Sequence, residues 1–304
     1  MAHGGERRAV LAALGANLGI ALAKFLGFLV TGAASLLAEA IHSVADTGNQ
    51  GLLLLGDARA AREPRDSHPF GFARERYFWA FVVSLVLFSG GGVFAIYEGV
   101  HKLGHPEPND ALWLAIVILA VAVVLEGFSL RTAVRAARPT KGGLSWYGFI
   151  RHSKSAELPV VLLEDVGALV GLVFALAGVV LSAVTGEPRY DAIGSLAIGV
   201  LLVVIAAVLA IEMRSLLIGE AASREARSQM VEAVTADPRV VRIVDLRTQH
   251  LGPEEILVGM ELVFDRSLTG VELTEALSEV EDALRTAVPA ATQVYLEPHT
   301  DDLT

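Results

Sequence analysis

The run Glu39-Ala-Ile-His-Ser-Val-Ala-Asp-Thr-Gly-Asn49 sets polar side chains in the middle of an apolar segment long enough to span a bilayer. At 3.6 residues per turn, His42 and Asp46 stand one turn apart on one helix face, and Glu39 and Asn49 fall close to the same stripe. A carboxylate or imidazole at bilayer depth costs at least about 2.5 kcal/mol, so it faces the protein interior, finds a partner and has a task. The His-x3-Asp spacing offers one nitrogen and one oxygen to a single divalent cation. These two side chains are expected to form half of an intramembrane metal site, with the other half supplied elsewhere in the chain.

Working outward, the 304 residues are 53% hydrophobic with a mean hydropathy of +0.54, and the apolar residues come in blocks. Blocks at about 9–30, 34–56, 77–100, 111–134, 158–184 and 191–217 each approach or exceed the ~20 residues that cross a hydrocarbon core. The expected architecture is an all-α transmembrane bundle of six helices over 1–217, followed by a cytoplasmic module over 218–304. That module carries 17 acidic and 7 basic residues, which is the whole net charge of −10. An acidic aqueous module argues against nucleic acid as a partner and suits an environment that handles cations. With no cysteine there is neither a disulfide framework nor a thiolate site, so any metal is bound by imidazole, carboxylate and carbonyl groups. Glu6-Arg7-Arg8 ahead of an apolar run has the look of a signal peptide. The run is longer than an h-region and no cleavage site closes it, so it is read as the first span. The short stretch ahead of that span points to a prokaryotic inner membrane.

Loop charges give an orientation. The second loop holds Arg59, Arg62, Arg65, Arg74 and Arg76, and the fourth loop with its flanks holds Arg131, Arg135, Arg138, Lys141, Arg151 and Lys154. The third has only Lys102 and the fifth only Arg189. The positive-inside rule then places both termini and the even-numbered loops in the cytoplasm.

Within the other spans, Asn17 and Lys24 sit among small residues that favour close helix packing, with Asn17 read as an interhelical hydrogen-bond partner. Ser89-Gly-Gly-Gly92 marks a packing contact or kink in the third span. Glu126 in the fourth has two readings, a partner for Lys24 or a hydroxyl, or a step in a proton or cation path. The fifth span carries Glu164 and Asp165 side by side inside Val160–Gly171. Helix neighbours point ~100° apart, so the two acids cannot both face one point without local distortion. No base lies near them in sequence, and at least one of the pair is expected to be functional.

The acidic module reads as helix 222–236, strand 239–249, strand 256–264, helix 269–287 and strand 292–296, with Ser223 as an N-cap and a turn at Gly252-Pro253. This αββαβ order suggests a small α+β sandwich, ferredoxin-like, with both helices on one face of the sheet.

Three passages carry a family resemblance: Ala38-Glu-Ala-Ile-His-Ser-Val-Ala-Asp46, His68-Pro-Phe-Gly-Phe-Ala-Arg-Glu75 and Asp191-Ala-Ile-Gly-Ser-Leu-Ala-Ile-Gly199. In this order, with six spans and an αββαβ tail, the whole chain resembles the cation diffusion facilitator family. Val-Leu-Leu-Glu-Asp165 and Asp46-Thr-Gly-Asn-Gln50 are similar to the subgroup that includes the mitochondrial zinc exporter. The resemblance implies proton-coupled antiport of a divalent metal across the lipid bilayer by a homodimer, with zinc the commonest cargo. It implies two ligands on the second span and two on the fifth. His42 and Asp46 match the first pair and Asp165 the last position, whereas the remaining position is Val161, which cannot bind metal. Glu164, three residues on, is placed to reach into that vacancy; Asn49, Asn17 and water are the alternatives. The expected metal ligands are thus His42, Asp46, Asp165 and Glu164. One imidazole with carboxylates is a harder donor set than a His-rich one, so manganese, iron and cobalt stand beside zinc as cargo.

Two peripheral sites are weakened. In the loop, His68 remains but Phe72 stands where the family often has a second histidine, and a turn beside the membrane is the simpler reading. In the tail, His250, Glu297 and His299 are candidates for a surface metal site, against the simpler reading of an exposed acidic face. The rival function is a non-transporting metal sensor or scaffold, which the Val161 vacancy supports. An enzyme is not expected: no activated nucleophile with a base and no phosphate-binding glycine loop is present.

Overall fold

The computed structural model describes residues 18–106, 111–154 and 157–299. Asn17 lies outside them. The chain forms two compact units, one running through Ala58 and from Arg76 to Arg214, the other made of Arg59–Glu75 and the chain from Ser215 onward.

The first unit is helical: α1 (Leu18–Thr31), α2 (Ala34–Ala60), α3 (Glu75–Gly104), α4 (Leu112–Lys141), a short α5 (Trp146–His152), α6 (Glu157–Thr185) and α7 (Arg189–Ile218). Four of these, α3, α4, α6 and α7, are long and apolar enough to cross a membrane, which makes this a multi-pass membrane protein. α1 is apolar but shorter over its described residues, and α2 has 27 residues but carries the polar stripe. The six-span expectation therefore meets a structure in which four described helices satisfy both length and hydropathy. α4 turns Trp113, Val117, Val121, Val124 and Phe128 outward, an apolar face suited to lipid. It continues as helix through Pro139, and the expected fourth loop holds the additional turn of α5, capped by Ser145, whose Oγ accepts from Gly148 N at 3.0 Å.

The α1–α2 corner turns on Gly32, whose φ of +67° closes α1 with a bond from its N–H to Phe28 O at 2.7 Å. α7 is the spine of the unit. A Cβ on its Gly199 would lie 2.7 Å from Ile96 N and 2.9 Å from Gly92 O of α3, with the Ile96 side chain at 2.6 Å, so the glycine lets these two helices approach closely. On its other side, a Cβ on Gly178 of α6 would lie 2.8 Å from Tyr190 O of α7. The Ser89-Gly-Gly-Gly92 run, read as a contact or kink, is both a packing contact and a π-helical turn over Leu87–Val93.

In the second unit α8 (Arg224–Thr235), β1 (Val240–Gly252), β2 (Glu255–Phe264), α9 (Gly270–Ala287) and β3 (Gln293–Pro298) follow one another as the sequence suggests. The sheet has order β1-β2-β3, antiparallel between the first two and parallel between the last two. Alternate residues of β2 (Ile256, Val258, Met260, Leu262 and Phe264) are buried, and they share one core with Met230 and Val234 of α8 and Ala276, Val280 and Leu284 of α9. Both helices thus cover one face. Ser223 caps α8 by accepting from Ala226 N at 3.1 Å. α9 opens with a capping box, in which Glu272 accepts from Thr269 N at 2.7 Å while Thr269 Oγ1 accepts from Glu272 N at 3.3 Å. The segment Arg59–Glu75 groups with this unit, and Ala73 packs where a side chain on Gly252 would lie.

The candidate surface metal site of the tail does not assemble. His250 pairs with Ile256 at the hairpin end of β1, whereas Glu297 lies beside Glu261, which pairs with Asp245 five residues back along β1. At ~3.3 Å per residue that separates His250 from Glu297 by about 17 Å along the strands. His250 is buried, its Nδ1 3.1 Å from Gly252 O.

Candidate metal centre

The helix that carries the polar stripe is held at its first turn by a residue far away in the chain. The buried Asp191 carboxylate, at the start of α7, accepts from Ala34 N at 2.6 Å, from Ser35 N at 3.2 Å and from the Ser35 hydroxyl. This satisfies N–H groups that any helix leaves open at its start and places negative charge at the positive end of the α2 dipole.

From that anchor, α2 presents its stripe in three directions. Glu39 points to α1, where the buried Lys24 ammonium donates to Glu39 Oε2 at 3.1 Å and to Ser43 Oγ at 2.8 Å. His42 is 1% exposed and packs towards the π-turn of α3, its Nδ1 3.8 Å from where a Cβ on Gly91 would sit. Its Nε2 lies 3.5 Å from Asp46 Oδ2, and neither ring nitrogen has a hydrogen-bond partner. Asn49 points to α6, donating to Glu164 Oε1 at 2.7 Å.

A cavity opens between α1, α2, α4 and α6, and Asp46, Glu126, Glu164, Asp165, Val161 and Ser43 border it. The adjacent Glu164 and Asp165 both reach this space with their helix unbroken, because the cavity lies between two neighbours of α6. Glu164 leans to α2 and Asn49, while Asp165 leans to α4, where Ser129 Oγ donates to its Oδ2 at 3.2 Å. The local distortion anticipated for this pair is not needed.

Of the expected ligands, Asp46, Glu164 and Asp165 border one cavity; His42 stands beside Asp46 but outside that lining. Among the described residues no three His, Asp or Glu side chains lie close enough together to hold a metal ion as they stand. Several unpartnered buried atoms surround the site: both His42 nitrogens, Asp46 Oδ1, Asn49 Oδ1 and Glu39 Oε1. Buried polar groups normally find a partner, and these five atoms without one all belong to the polar stripe of α2. Val161 lines the cavity with its methyl groups. Ser129 was not singled out in the sequence, since a serine in a long apolar helix carries no signal of its own. Lys24 pairs with Glu39, although the sequence suggested Glu126 for it. In the segment Arg59–Glu75, His68 stacks on Phe72 with ring centroids 4.6 Å apart, and its backbone pairs with that of Arg65. That is the turn expected there.

Two family models match the chain in succession. The cation efflux transmembrane domain covers residues 10–218 and the cation efflux protein cytoplasmic domain covers residues 222–299. Among curated relatives, the human protein named "Proton-coupled zinc antiporter SLC30A9, mitochondrial" is 36% identical over 85% of this chain and 45% of its own length. "Metal tolerance protein C4" of Arabidopsis thaliana is 31% identical over 86% of this chain and 57% of its own. "Cation-efflux pump FieF" of Klebsiella pneumoniae is 25% identical over 93% of this chain and 89% of its own. The chain thus spans about half the length of the mammalian relatives it matches, 45% in the human case. The zinc antiporter and the cation-efflux pump are transporters by name, and none of these relatives is named as an enzyme. The mitochondrial name of the mammalian ones lends no support to the expected prokaryotic inner membrane.

Proposed function

The chain belongs to the cation efflux family, and on that premise we propose that it exports a divalent metal cation, zinc first among the candidates, in exchange for protons. The observation that carries this reading is the meeting of Asp46 from α2 with Glu164 and Asp165 from α6 around one cavity inside the apolar unit, with His42 beside Asp46. A divalent cation entering the cavity takes oxygens from Asp46, Asp165 and Glu164, and a nitrogen of His42 after a small rotation of its ring. Glu164 stands in for the side chain that Val161 cannot offer. A ligand must be deprotonated to hold metal, so protons arriving from the more acidic side compete for the same atoms and release the cation. The names of the mammalian relatives, a zinc antiporter coupled to protons, support both zinc and the exchange. Manganese, iron and cobalt remain credible cargo for a carboxylate-rich site.

The rest of the reading follows the same line. Six spans place both termini and the arginine-rich loops in the cytoplasm, with the transmembrane domain over 1–217. The module over 218–304, ferredoxin-like in its strand and helix order, matches a cytoplasmic domain of this family and serves to join two copies as a homodimer.

The test is metal uptake into proteoliposomes with an inside-acid pH gradient, comparing zinc, manganese, iron and cobalt. Loss of transport in both Asp165→Ala and Glu164→Ala supports a site completed by Glu164. Loss in Asp165→Ala alone leaves a three-ligand site with water. No movement of any metal by the parent protein sinks the transport reading in favour of a sensor or scaffold.

A further inference from the structure

Beside the cavity lies a charge pair that the transport reading does not use. Lys24 is 1% exposed on α1 and Glu39 is 0% exposed on α2, with their charged atoms 3.1 Å apart. A buried ion pair is weak evidence for stability, since desolvation of both charges offsets their attraction, so its presence here calls for another account. Two features tie the pair to the cavity. Ser43, whose hydroxyl accepts from Lys24 at 2.8 Å, borders the cavity, as does Ile20, one turn before Lys24 on α1. Ser43 and Asp46 are three residues apart on α2, which makes them neighbours on its surface. Meanwhile Glu39 Oε1 has no hydrogen-bond partner and lies against α6, where the absence of a side chain on Gly171 makes room: a Cβ there would sit 2.7 Å from this oxygen. Glu39 thus holds Lys24 with one oxygen and keeps the other unspent.

We propose that Lys24 is a tethered cation that sets the affinity of the cavity for its divalent cargo, and that Glu39 sets how strongly Lys24 is felt there. This rests on the transport reading above. Around the cavity stand Asp46, Glu126, Glu164 and Asp165, with Lys24 the one lysine or arginine among the described residues bonded to its wall. An ammonium one helix turn away repels the incoming dication and offsets the carboxylates when the cavity is empty. Without it, the acids would hold a dication too firmly to release it. Glu39 neutralises part of the ammonium charge and holds it at its own level on α2, one turn before Ser43 and further from Asp46. The two partners of one ion pair therefore act on the cavity with opposite signs.

A pair that only braces α1 against α2 behaves differently, because breaking it from either side does the same damage. Initial rates of zinc uptake into proteoliposomes give KM and Vmax for the parent, Lys24→Gln and Glu39→Gln. Lys24→Gln is expected to lower the KM for zinc at least about tenfold, since a unit charge about one helix turn from a dication acts with more than that in a medium of intermediate dielectric, and to lower Vmax as release slows. Lys24→Arg, which keeps the charge, is expected to return KM towards the parent value. Glu39→Gln, which leaves the ammonium uncompensated, is expected to raise KM by a similar factor. Should Lys24→Gln fail to fold, Glu39→Gln decides alone: a raised KM supports the assignment, an unchanged or lowered KM overturns it. Shifts of the same sign in both variants, or losses of Vmax without change in KM, overturn it in favour of a brace. A parent that moves zinc while neither variant alters KM overturns this assignment and leaves the transport reading standing. A parent that moves no metal overturns both.

Discussion

Ser35 and Asp191 are 156 residues apart in sequence, yet the carboxylate of one accepts from both the backbone N–H and the hydroxyl of the other at the first turn of α2. The cap of the helix that bears the candidate metal centre is therefore borrowed from α7. Removing it with Asp191→Ala is expected to cost about 0.5–2 kcal/mol, as for other lost N-caps. Asp191→Asn, which keeps an acceptor, should cost less. Thermal unfolding in detergent reads both, and equal stability of Asp191→Ala and the parent would refute the capping role.

Asn49 is an outer partner of the site through its 2.7 Å donation to Glu164. Groups that orient a metal ligand typically contribute about 10–100-fold in affinity. Asn49→Ala is expected to raise the KM for zinc within that range while leaving protein yield intact. Asn49→Asp should be worse, since it replaces the donor by a second carboxylate against Glu164.

Val161 brings hydrocarbon to a cavity that four acids edge: Asp46, Glu126, Glu164 and Asp165. Val161→Asp puts an oxygen donor at that position and is expected to lower the KM for zinc by at least about an order of magnitude, since one added charge at short range is worth more than that. Its turnover should fall, because the cation then leaves more slowly. An unchanged KM in Val161→Asp, in folded protein, would show that this position does not reach the cargo.

The second unit offers a pH effect of definite sign. The bonds from Arg239 hold the Asp237 carboxyl below its ordinary value, and those from Thr269 do the same for Glu272. A depressed carboxyl contributes stability that is present above its unfolded value and is lost as pH falls through the folded one. Protection of the α8–β1 junction and of the start of α9 should therefore weaken below about pH 4. Amide hydrogen exchange, corrected for intrinsic rates, is the measurement. Asp237→Asn and Glu272→Gln should each flatten the dependence at their own end.

Much of this was legible before any coordinates. The αββαβ order emerges with boundaries within a few residues, because β2 buries alternate residues from Ile256 to Phe264 and Pro289 closes the last helix cleanly. The stripe from Glu39 to Asn49 was visible because polar groups in an apolar helix stand out at any register. What stayed hidden was pairing across helices. Lys24 lies 15 residues from Glu39 and far from Glu126 in sequence, and only the rotation of α1 about its axis decides which acid it meets. The same holds for Ser129 with Asp165, and for Asp191 at the head of α2. Periodicity tells which side chains share a face of one helix; it says nothing about what the next helix presents. The reach of Glu164 and Asp165 into one space is invisible in the sequence for the same reason, since that space is bounded by three other helices.

The glycine contacts along α7 bear on how the unit can move. Where backbone meets backbone, as at Gly178 with Tyr190, there is no side chain to slide, bend or change rotamer, and at Gly199 the backbone of Gly92 comes as close beside the side chain of Ile96. A contact of that kind has one fitted position, and any shift along it brings carbonyl oxygens into collision. The helices α3, α6 and α7 accordingly behave as a single plate, with the acids of α6 fixed to it. α2 meets that plate at more than its first turn, through Asp191 there, through His42 against Gly91 and through Asn49 with Glu164, so Asp46 keeps its distance from the acids of α6 only while all three contacts hold.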